Sequence, residues 1–358
     1  MRIDRDFWTG RRVLVTGHTG FKGAWLCLWL QSLGSELTGL SAGVPTSPSM
    51  YELANVGAQM RELSADVRAG AAVADAVRAC DPEIVLHLAA QPMVRRSLRE
   101  PAATYEVNVG GTINVLEAIR SHGPSVRAVV VVTSDKCYAN PPGSRRRFVE
   151  SDPLGGADPY SSSKACAELV CAAYRSSFFS SRAGDGAEAP RLATARAGNV
   201  IGGGDWGEDR LIGDALRAVE AREPLRVRNP AAVRPWQHVL SPLAGYLRLA
   251  ERLWEDAGAA HGWNFGPSAD DERDVAWVAD RLSELWGGAL RWQAREADDP
   301  PEAGHLALDS GAAERELGWS PACVLATALA LIVEWHEAHR AGADMRAVSL
   351  AQLESLGV

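Results

Sequence analysis

The chain lacks long apolar runs, and its first residues contain no apolar segment of the kind that directs secretion. No uninterrupted apolar stretch reaches the length needed to cross a bilayer. We therefore expect the protein to stay in the cytoplasm, with no membrane partner. The net charge of -8 and the lack of a dense basic patch also argue against nucleic acid as a partner.

The cysteines give no sign of a disulfide framework or a metal centre. They form no CxxC pair and show no spacing typical of metal ligands. Scattered thiols of this kind are most often small buried apolar groups. We expect neither disulfides nor metal from Cys27, Cys80, Cys137, Cys166, Cys171 and Cys323.

Apolar residues, by contrast, make up 46% of the chain and fall into a repeated pattern. Apolar runs alternate with helical patterns through the first half, as in consecutive strand-helix units. The first four runs have the apolar character of parallel strands covered on both faces. The predicted strands are Val13 to Thr16, Glu36 to Leu40, Ile84 to Leu88, Val126 to Thr133 and Arg191 to Ala197.

A glycine-rich motif follows the first of these strands and opens into a helix-like stretch, Ala24 to Leu33. Glycines at this spacing let the backbone turn sharply, approach a pyrophosphate without a Cβ, and point helix N-terminal amides at its charge. Glycines also serve ordinary turns, so the motif alone leaves both interpretations open. As a nucleotide-binding turn, the motif would place a dinucleotide against Gly17, His18, Thr19, Gly20, Phe21, Lys22 and Gly23.

A second motif contains Tyr160 and Lys164, which share one face if the segment is helical. Taken alone, a Tyr/Lys pair at this spacing is most often an ordinary surface pair. An upstream hydroxyl, Ser134, and the glycine-rich turn reverse that balance. The combination resembles the extended, nucleotide-sugar-modifying branch of the short-chain dehydrogenase/reductase superfamily.

A larger set of motifs resembles the CDP-glucose 4,6-dehydratases. The similarity runs from about Trp8 to about Pro267 and continues more weakly to Trp335. Each motif alone is shared with related sugar epimerases and dehydratases, whereas the set is far more specific. Besides the glycine-rich turn, it comprises residues 133–138 (TSDKCY), 155–164 (GGADPYSSSK), 196–206 (RAGNVIGGGDW) and 234–239 (RPWQHV).

The pattern and the resemblance together predict an α/β fold with a doubly wound, Rossmann-type parallel sheet. We place an NAD-binding domain with the catalytic residues in 1–200. A smaller mixed C-terminal lobe for a nucleotide sugar occupies mainly 201–358, with some segments returning to the sheet. The segment Ser180 to Pro190, rich in Ser, Gly and Ala, is predicted to be a loop.

The resemblance implies an internal redox reaction on CDP-glucose that yields CDP-4-dehydro-6-deoxy-glucose. NAD+ takes a hydride from sugar C4, water leaves across C5 and C6, and the same hydride returns to C6. Tyr160 is the expected base for the C4 hydroxyl, helped by the Lys164 ammonium, which can lower the pKa of a phenol. Ser134 is expected to hydrogen-bond the reacting oxygen.

For the elimination, the resemblance makes Asp135 the acid that protonates the departing C6 oxygen. Related dehydratases carry Asp-Glu here, with the glutamate as base, whereas this chain has Asp135-Lys136. Lysine is a poor base at its ordinary pKa of ~10.4, but burial and a neighbouring cation lower that pKa. Lys136 is therefore the candidate base, and the alternative is a salt bridge that holds Asp135 in place.

The usual signal for NAD, an acidic residue at the end of the second strand, is missing, because Ser41-Ala42-Gly43 stands there. NAD is the first choice through the resemblance, and NADP stays as an alternative. Asp66 could equally be a helix cap, and Asn108 is more often structural in this superfamily. The other expected cofactor contacts are Asp66, Val67, Leu88, Ala89, Ala90, Gln91 and Asn108.

The substrate site is predicted from charge and planarity, since arginine suits bidentate contact with a diphosphate. A lone arginine is usually a solvated surface charge, and a tryptophan or histidine at this spacing is as readily a core residue. Among the candidates, Arg234 and Asn199 are preferred. By resemblance the substrate side comprises Asn199, Arg210, Leu211, Arg228, Arg234, Trp236, His238 and Asn264.

Two other classes stay open. A dehydratase of another nucleotide sugar, or a 4-epimerase or reductase, would use the same turn, tyrosine and lysine. A catalytically inactive protein of the same fold would be expected to lose one of them.

Relatives pair through the helices that carry Tyr160 and Asn108, so a homodimer or homotetramer is expected. The apolar spacing Ala167, Val170, Cys171 and Tyr174 would allow such an interface or would pack on the sheet.

Overall fold

The computed structural model describes residues 3–179, 189–295 and 304–358. The predicted loop at 180–190 therefore lies almost wholly outside the described residues. The described strands are β1 (Arg12–Thr16), β2 (Glu36–Ser41), β3 (Arg61–Ser64), β4 (Ile84–His87), β5 (Ala128–Val132), β6 (Arg191–Arg196), β7 (Val200–Ile201), β8 (Leu225–Val227), β9 (Val233–Pro235), β10 (Gln237–His238), β11 (Gly262–Asn264), β12 (Glu272–Asp274) and β13 (Trp292–Ala294).

The α-helices cover both faces of the central sheet and build the C-terminal part of the chain. Those described are α1 (Arg5–Trp8), α2 (Phe21–Ser32), α3 (Met50–Leu53), α4 (Gly70–Cys80), α5 (Val94–Arg99), α6 (Pro101–Tyr105), α7 (Gly111–His122), α8 (Pro159–Ser177), α9 (Leu211–Ala221), α10 (Leu240–Glu255), α11 (Val275–Leu285), α12 (Gly311–Leu317), α13 (Leu325–Arg340) and α14 (Met345–Ser355).

The central sheet has seven parallel strands in the order β11-β6-β5-β4-β1-β2-β3. The five strands predicted from sequence are confirmed as β1, β2, β4, β5 and β6. The two others were missed for different reasons. The edge strand β3 is polar and largely exposed, and β11 is only three residues long. The predicted doubly wound architecture is confirmed.

Large apolar clusters lie on both faces of this sheet. Parts of the C-terminal half belong to these layers, because β11 pairs with β6 and α10 packs on β5 and β6. The last helix, α14, packs on α2, where Arg346 Nη2 donates to Gln31 Oε1 at 2.9 Å. These are the segments that return to the Rossmann layers. A division near residue 200 stays a prediction.

Strand order decides where a ligand can sit. The chain leaves β1 toward β2 on one side and enters β4 on the other, so a crevice forms at the carboxyl ends of β1 and β4. The loops after β1, β4, β5 and β6 share this edge of the sheet. They carry Gly17, Leu88, Ser134 and Asn199, which were predicted from separate motifs.

Candidate active site

The glycine-rich turn packs against the loop that follows β4. Gly17 has φ +74, and a Cβ at this residue would lie 2.7 Å from the Ala89 backbone nitrogen. A Cβ at Gly23 would lie 2.1 Å from the Gly17 carbonyl oxygen. No described side chain caps the N-terminus of α2, which starts at Phe21. The turn is therefore a close-packed backbone cradle that suits a phosphate.

The side chains of His18 and Thr19 turn toward β2 and β3. The His18 ring lies over Gly39, and its Nε2 is 2.9 Å from Glu62 Oε1. Thr19 Oγ1 donates to the Gly43 carbonyl at 2.7 Å and is also 2.7 Å from Ser41 Oγ. Hydroxyl groups thus fill the place at the end of β2 where an acidic residue was expected.

Asn108 joins the loop after β4, residues 88–91, to α8, the helix that carries Tyr160 and Lys164. Its Oδ1 accepts from the Gln91 backbone nitrogen at 2.8 Å. Its Nδ2 donates to the Gln91 carbonyl at 3.1 Å and to Ser163 Oγ at 2.9 Å. Because Asn108 is almost fully buried, its amide positions this loop and α8 relative to each other.

Asp66 and Val67 follow β3 at the same edge. The Asp66 carboxylate accepts from Arg68, which holds the pKa of Asp66 below its usual value. Val67 is buried, and its side chain would collide with a Cβ at Gly111 on α7. Arg68 thus fixes Asp66 and the close approach of α7 fixes Val67, and their contact with an adenine ring remains a proposal.

Ser134 lies at the centre of the predicted catalytic group. Its hydroxyl donates to Asp135 Oδ1 at 2.9 Å and accepts from the Lys136 backbone nitrogen at 3.2 Å, and it lies close enough to the Tyr160 phenol to lower the pKa of that group. Tyr160 is on α8, whose N-terminus is capped by the Asp158 carboxylate. Residues predicted from two distant motifs therefore meet at one hydroxyl.

Asp135 is 1% exposed, and its Oδ2 has no hydrogen-bond partner among the described residues. It fits only because residue 198 is glycine, since a Cβ there would lie 1.7 Å from Oδ2. An unpartnered carboxylate oxygen is costly in a protein interior unless a ligand completes it. This orphan atom marks Asp135 as a group that faces a reaction site.

The charges around Tyr160 differ from the sequence expectation. Burial raises the pKa of Tyr160 to about 12, Ser134 and Arg210 oppose that rise, and Asp135 adds to it. Lys164 is not among the groups that act most strongly on this phenol, and its Nζ donates to the Val132 carbonyl at 3.2 Å. The expected effect of Lys164 on the Tyr160 pKa stays a prediction, and the charge of Arg210 lowers this pKa in the structure.

Lys22, on the first turn of α2, belongs to the same cluster. Its Nζ donates to the phenolic oxygen of buried Tyr246 at 3.2 Å. Burial first, and then the charges of Lys164 and Arg210, lower the pKa of Lys22 to about 7, with Asp135 opposing. Lys22, Lys136 and Lys164 are the only lysines in the sequence, and all of them lie in this region. Sequence patterns gave no signal for Tyr246.

Lys136 is half-buried, and among the described residues its ammonium forms no ion pair with Asp135. The alternative in which a salt bridge holds Asp135 in place therefore has no support. The position of Asp135 is fixed by Ser134 and by the tight fit at Gly198.

Several predicted substrate residues gather on the loop after β7. Arg210 pairs with Asp205 at 3.1 Å and precedes Leu211, the first residue of α9. Asp209 Oδ1 accepts from Arg228 at 2.7 Å and from Arg95 at 2.9 Å. Sequence reasoning missed Arg95, Asp205 and Asp209, although Asp205 lies within a quoted motif. Arginines from three segments therefore pair with the carboxylates of this loop.

Asn199 has φ +44, which is unusual for a residue other than glycine and is most often kept at functional loops. It stands beside Gly198, in contact with the Gln237 backbone, whose nitrogen donates to the Asn199 carbonyl at 3.3 Å. This loop therefore brings its backbone close to Asp135.

Other predicted substrate residues are placed in the protein interior. Asn264 is fully buried: its Oδ1 accepts from Tyr138 at 2.7 Å and its Nδ2 donates to the carbonyls of Phe148 and Asp309. Burial lowers the pKa of His238 to about 4, and its ring packs on Trp25. These contacts give both side chains a structural role.

Trp236 and Arg234 are also buried, in β9 and just after it. Trp236 Nε1 donates to the Arg273 carbonyl at 2.9 Å, which joins the ring to β12. Arg234 Nη1 donates to the Val233 carbonyl at 3.0 Å. The preference for Arg234 as a diphosphate ligand remains a prediction.

The apolar stripe on α8 follows the second of the two alternatives left open by the sequence. Ala167 and Cys171 are buried within the subunit, and Val170 and Tyr174 pack against the same core cluster as Cys171. The stripe thus packs on the sheet. Exposed apolar side chains on packed neighbouring helices are instead Leu98, Tyr105 and Leu169.

In the part of the chain that the structure describes, no helix is long and apolar enough to cross a membrane. Within the same residues, no group of three His, Cys, Asp or Glu side chains is arranged to hold a metal ion. The six cysteines are free thiols.

Comparison with known proteins agrees with this geometry. The family described as "NAD dependent epimerase/dehydratase family" matches residues 13–260. CDP-glucose 4,6-dehydratase of Salmonella typhimurium is 46% identical over 348 residues, covering 96% of this chain and 95% of that protein. dTDP-glucose 4,6-dehydratase of Mycolicibacterium smegmatis is 29% identical and covers 87% and 88%.

Among solved structures, UDP-glucose 4-epimerase of Thermus thermophilus in complex with NAD superimposes with a TM-score of 0.76. It is 25% identical and covers 90% of this chain and 98% of that one. With a family match over more than half of its length and a relative at 46% identity along nearly all of it, the chain belongs to the NAD dependent epimerase/dehydratase family.

Proposed function

We propose that this protein is a CDP-glucose 4,6-dehydratase, which converts CDP-glucose to CDP-4-dehydro-6-deoxy-glucose. The observation that carries the proposal is the meeting of Tyr160, Ser134 and Asp135, with the unpartnered Asp135 oxygen beside them. A 4-epimerase needs the Tyr160 phenol but does not need Asp135 and a neighbouring base, because it eliminates no water. The relative at 46% identity supports the same substrate.

The cradle fits NAD. Its diphosphate would lie on residues 17–23, where added Cβ atoms would collide with backbone, and its remaining contacts would come from residues 66–67 and 88–91. When bound, NAD accepts the C4 hydride and later returns it to C6. The family supports NAD over NADP, and the segment Ser41-Ala42-Gly43 at the end of β2 carries no cation that would pair with a 2′-phosphate.

Tyr160 takes the proton of the C4 hydroxyl. In this structure its pKa is about 12, so ionisation near pH 7 requires roughly 7 kcal/mol of additional stabilisation of the phenolate. Ser134 and Arg210 already act in that direction. The rest must come from positive charge and hydrogen bonds in the complete complex. Lys164 is one turn further along α8 and is proposed to donate to the nicotinamide ribose.

Asp135 and Lys136 carry out the elimination. Asp135 delivers a proton to the leaving C6 oxygen from its buried carboxyl group, and Lys136 removes the C5 proton, which the C4 ketone has acidified. Lys136 is half-buried and forms no ion pair with Asp135 in the described structure, so Asp135 does not hold its side chain away from the sugar.

The nucleotide is proposed to lie across the loop after β7. Arg210 and Arg228 are half-buried and are fixed by Asp205 and Asp209, so both guanidinium groups are ordered before substrate binds. Asn199 would face the sugar or the diphosphate. Base recognition depends on the backbone of this lobe, and the assignment of cytidine rests on the 46% identical relative.

The test is incubation of the purified protein with CDP-glucose and NAD, followed by alkali treatment and near-ultraviolet absorbance of the 4-keto sugar. Parallel incubations with dTDP-glucose, GDP-mannose and UDP-glucose determine the nucleotide preference. Product from CDP-glucose alone is expected. Formation of CDP-galactose without loss of water would favour a 4-epimerase.

We further propose a homodimer that buries Leu169 on α8 together with Leu98 and Tyr105 on the neighbouring helices. Leu169 is 59% exposed, which is unusual for a leucine on a structured helix. Light scattering of wild type and Leu169→Asp checks this, and a monomeric wild type at micromolar concentration would contradict it. A cytoplasmic location stays a prediction that cell fractionation would test.

A further inference from the structure

A second buried polar cluster lies beneath the catalytic helix. Glu168, one turn beyond Lys164 on α8, is 4% exposed, and its Oε2 accepts from Arg196 Nη2 at 2.8 Å and from Thr194 Oγ1 at 2.7 Å. Thr133 Oγ1 donates to the other carboxylate oxygen. These donors come from β6 and from the residue after β5. Glu168 is therefore fixed from two strands.

The cluster extends to the loop that carries Asp135. Arg196 Nη1 donates to the phenolic oxygen of Tyr138 at 2.7 Å, and Tyr138 donates in turn to Asn264 on β11. The guanidinium fits because residue 262 is glycine, since a Cβ there would lie 2.4 Å from Nη2. The Glu168-Arg196 pair thus stands between the end of the 134–138 segment and the catalytic helix.

Glu168 also lies beside Lys164: the two are one helical turn apart on α8, and their ends bond to consecutive residues, Lys164 Nζ to the Val132 carbonyl and Glu168 Oε1 to the Thr133 hydroxyl. Burial lowers the pKa of Lys164 to about 8, and the largest opposing influence is the charge of Glu168. The thiols of Cys137 and Cys171 act in the same direction only if ionised, and burial raises both of their pKa values. Arg196 and the two threonines hold the pKa of Glu168 below its usual value despite its burial.

The remaining titratable neighbours do not supply a negative charge. Lys22 on α2 and His87 on β4 each interact with Lys164 through charge, and both have lowered pKa values because of burial and of that cation. Without Glu168, the Lys164 ammonium would face burial with no compensating anion from these elements. Such a lysine loses its proton more readily.

We propose that Glu168 is a positioning residue that keeps Lys164 an ammonium ion, ready to donate to the nucleotide ribose, and that Arg196 holds Glu168 in this role. The consequence for catalysis depends on the dehydratase function proposed above. The protonation of Lys164 itself can be measured without any turnover.

The experiment uses full-length protein in which lysine carries carbon-13 at Cε. Because Lys22, Lys136 and Lys164 are the only lysines, three signals are expected, and Lys136→Met and Lys22→Met variants assign them. Chemical shift against pH then gives the Lys164 midpoint. In Glu168→Gln/Arg196→Gln, which removes both buried charges, we expect the midpoint to fall by about one pH unit or more.

Arg196→Gln alone provides a second route, since an unpaired Glu168 takes up a proton and shifts Lys164 in the same direction. Glu251→Gln is the matched control, because Glu251 is another buried carboxylate paired with an arginine, Arg248, at 2.7 Å. This variant should leave the Lys164 midpoint unchanged.

A wild-type Lys164 midpoint in either folded Arg196 variant would overturn the proposal and leave the proposed dehydratase function intact. Failure of the wild type to act on CDP-glucose would instead overturn that function, with the titration unaffected.

Discussion

The two buried polar clusters on either side of Lys164 are built on opposite principles. Below it, Glu168 pairs with Arg196 at 2.8 Å and each carboxylate oxygen accepts from a hydroxyl, so the carboxylate is satisfied, although Arg196 Nε has no partner in the described structure. Above it, the charges of Lys22 and Lys164 oppose each other, and one oxygen of the Asp135 carboxylate has no partner in the described structure. A carboxylate with satisfied oxygens stabilises a fold, whereas an incomplete one is completed by a ligand.

The difference also separates residues that share a motif. Asp135 and Tyr138 are three positions apart, yet Asp135 faces the incomplete cluster and Tyr138 bonds to Arg196 in the satisfied one. Changes in the upper cluster should therefore affect the reaction far more than the stability of the fold. Changes in the lower cluster should do the reverse.

The largest effect is expected for Tyr160→Phe. It removes the proton acceptor for the C4 hydroxyl, so kcat should fall by roughly 10³-fold or more. The thermal midpoint should change little, because among the described residues no hydrogen bond that holds the fold together is made by the Tyr160 hydroxyl. Product formation and differential scanning calorimetry check the two parts. Near-normal turnover would remove Tyr160 from the mechanism.

Lys136→Met should stop the elimination while C4 oxidation continues. We expect roughly a 10²-fold loss of 4-keto product and no exchange of the C5 hydrogen with solvent deuterium. Absorbance of the reduced coenzyme should still appear in a single turnover. If C5 exchange persists at the wild-type rate, another group is the base, and Lys22 is then the first candidate.

A paired comparison of two asparagines separates pocket from core. Asn199→Ala should raise KM for CDP-glucose about tenfold through loss of a polar contact. Asn264→Ala should destabilise the fold by about 2 kcal/mol or more, because it leaves the Tyr138 hydroxyl and two carbonyls without their partner. Urea unfolding and substrate titration of both variants check the contrast. An Asn264 variant with normal stability and a raised KM would place that side chain in the pocket after all.

The smallest effect concerns pH. Because the pKa values of Lys22 and Lys164 are lowered to about 7 and about 8, the folded protein releases protons that the unfolded chain keeps. The unfolded chain then binds more protons, so stability should increase as pH rises from ~6.5 to ~8.5. The thermal midpoint of the ligand-free protein measures this. Lys22→Met should flatten the increase, and an identical slope in that variant would contradict it.

The sequence predicted the sheet well, and the residues of two distant motifs that it singled out, Ser134 and Tyr160, lie together in the structure, because both patterns depend on local rules. A glycine that must turn sharply, or a Tyr and Lys one helical turn apart, leaves a pattern that can be recognised without a structure. The C-terminal half was predicted less well. Asn264, His238 and Trp236 match motif positions, but their burial depends on β9, β11 and α10 packing together, which no local pattern encodes.

The charges that surround each site residue were also not predictable from the sequence. The expected effect of Lys164 on Tyr160 followed from their spacing alone and stays a prediction, and the ammonium donates to the Val132 carbonyl and interacts through charge with Glu168. The charge of Arg210, 50 residues downstream, also acts on the phenol. Such long-range contacts arise only when the loop after β7 folds over the crevice.

The most direct measurement follows the label in CDP-glucose that carries deuterium at C4, incubated with the protein and NAD in ordinary water. The account predicts a 4-keto-6-deoxy product with deuterium at C6 and a solvent hydrogen at C5. A hexose product that keeps its C6 hydroxyl group and carries the deuterium at C4, as after epimerisation, would contradict the account.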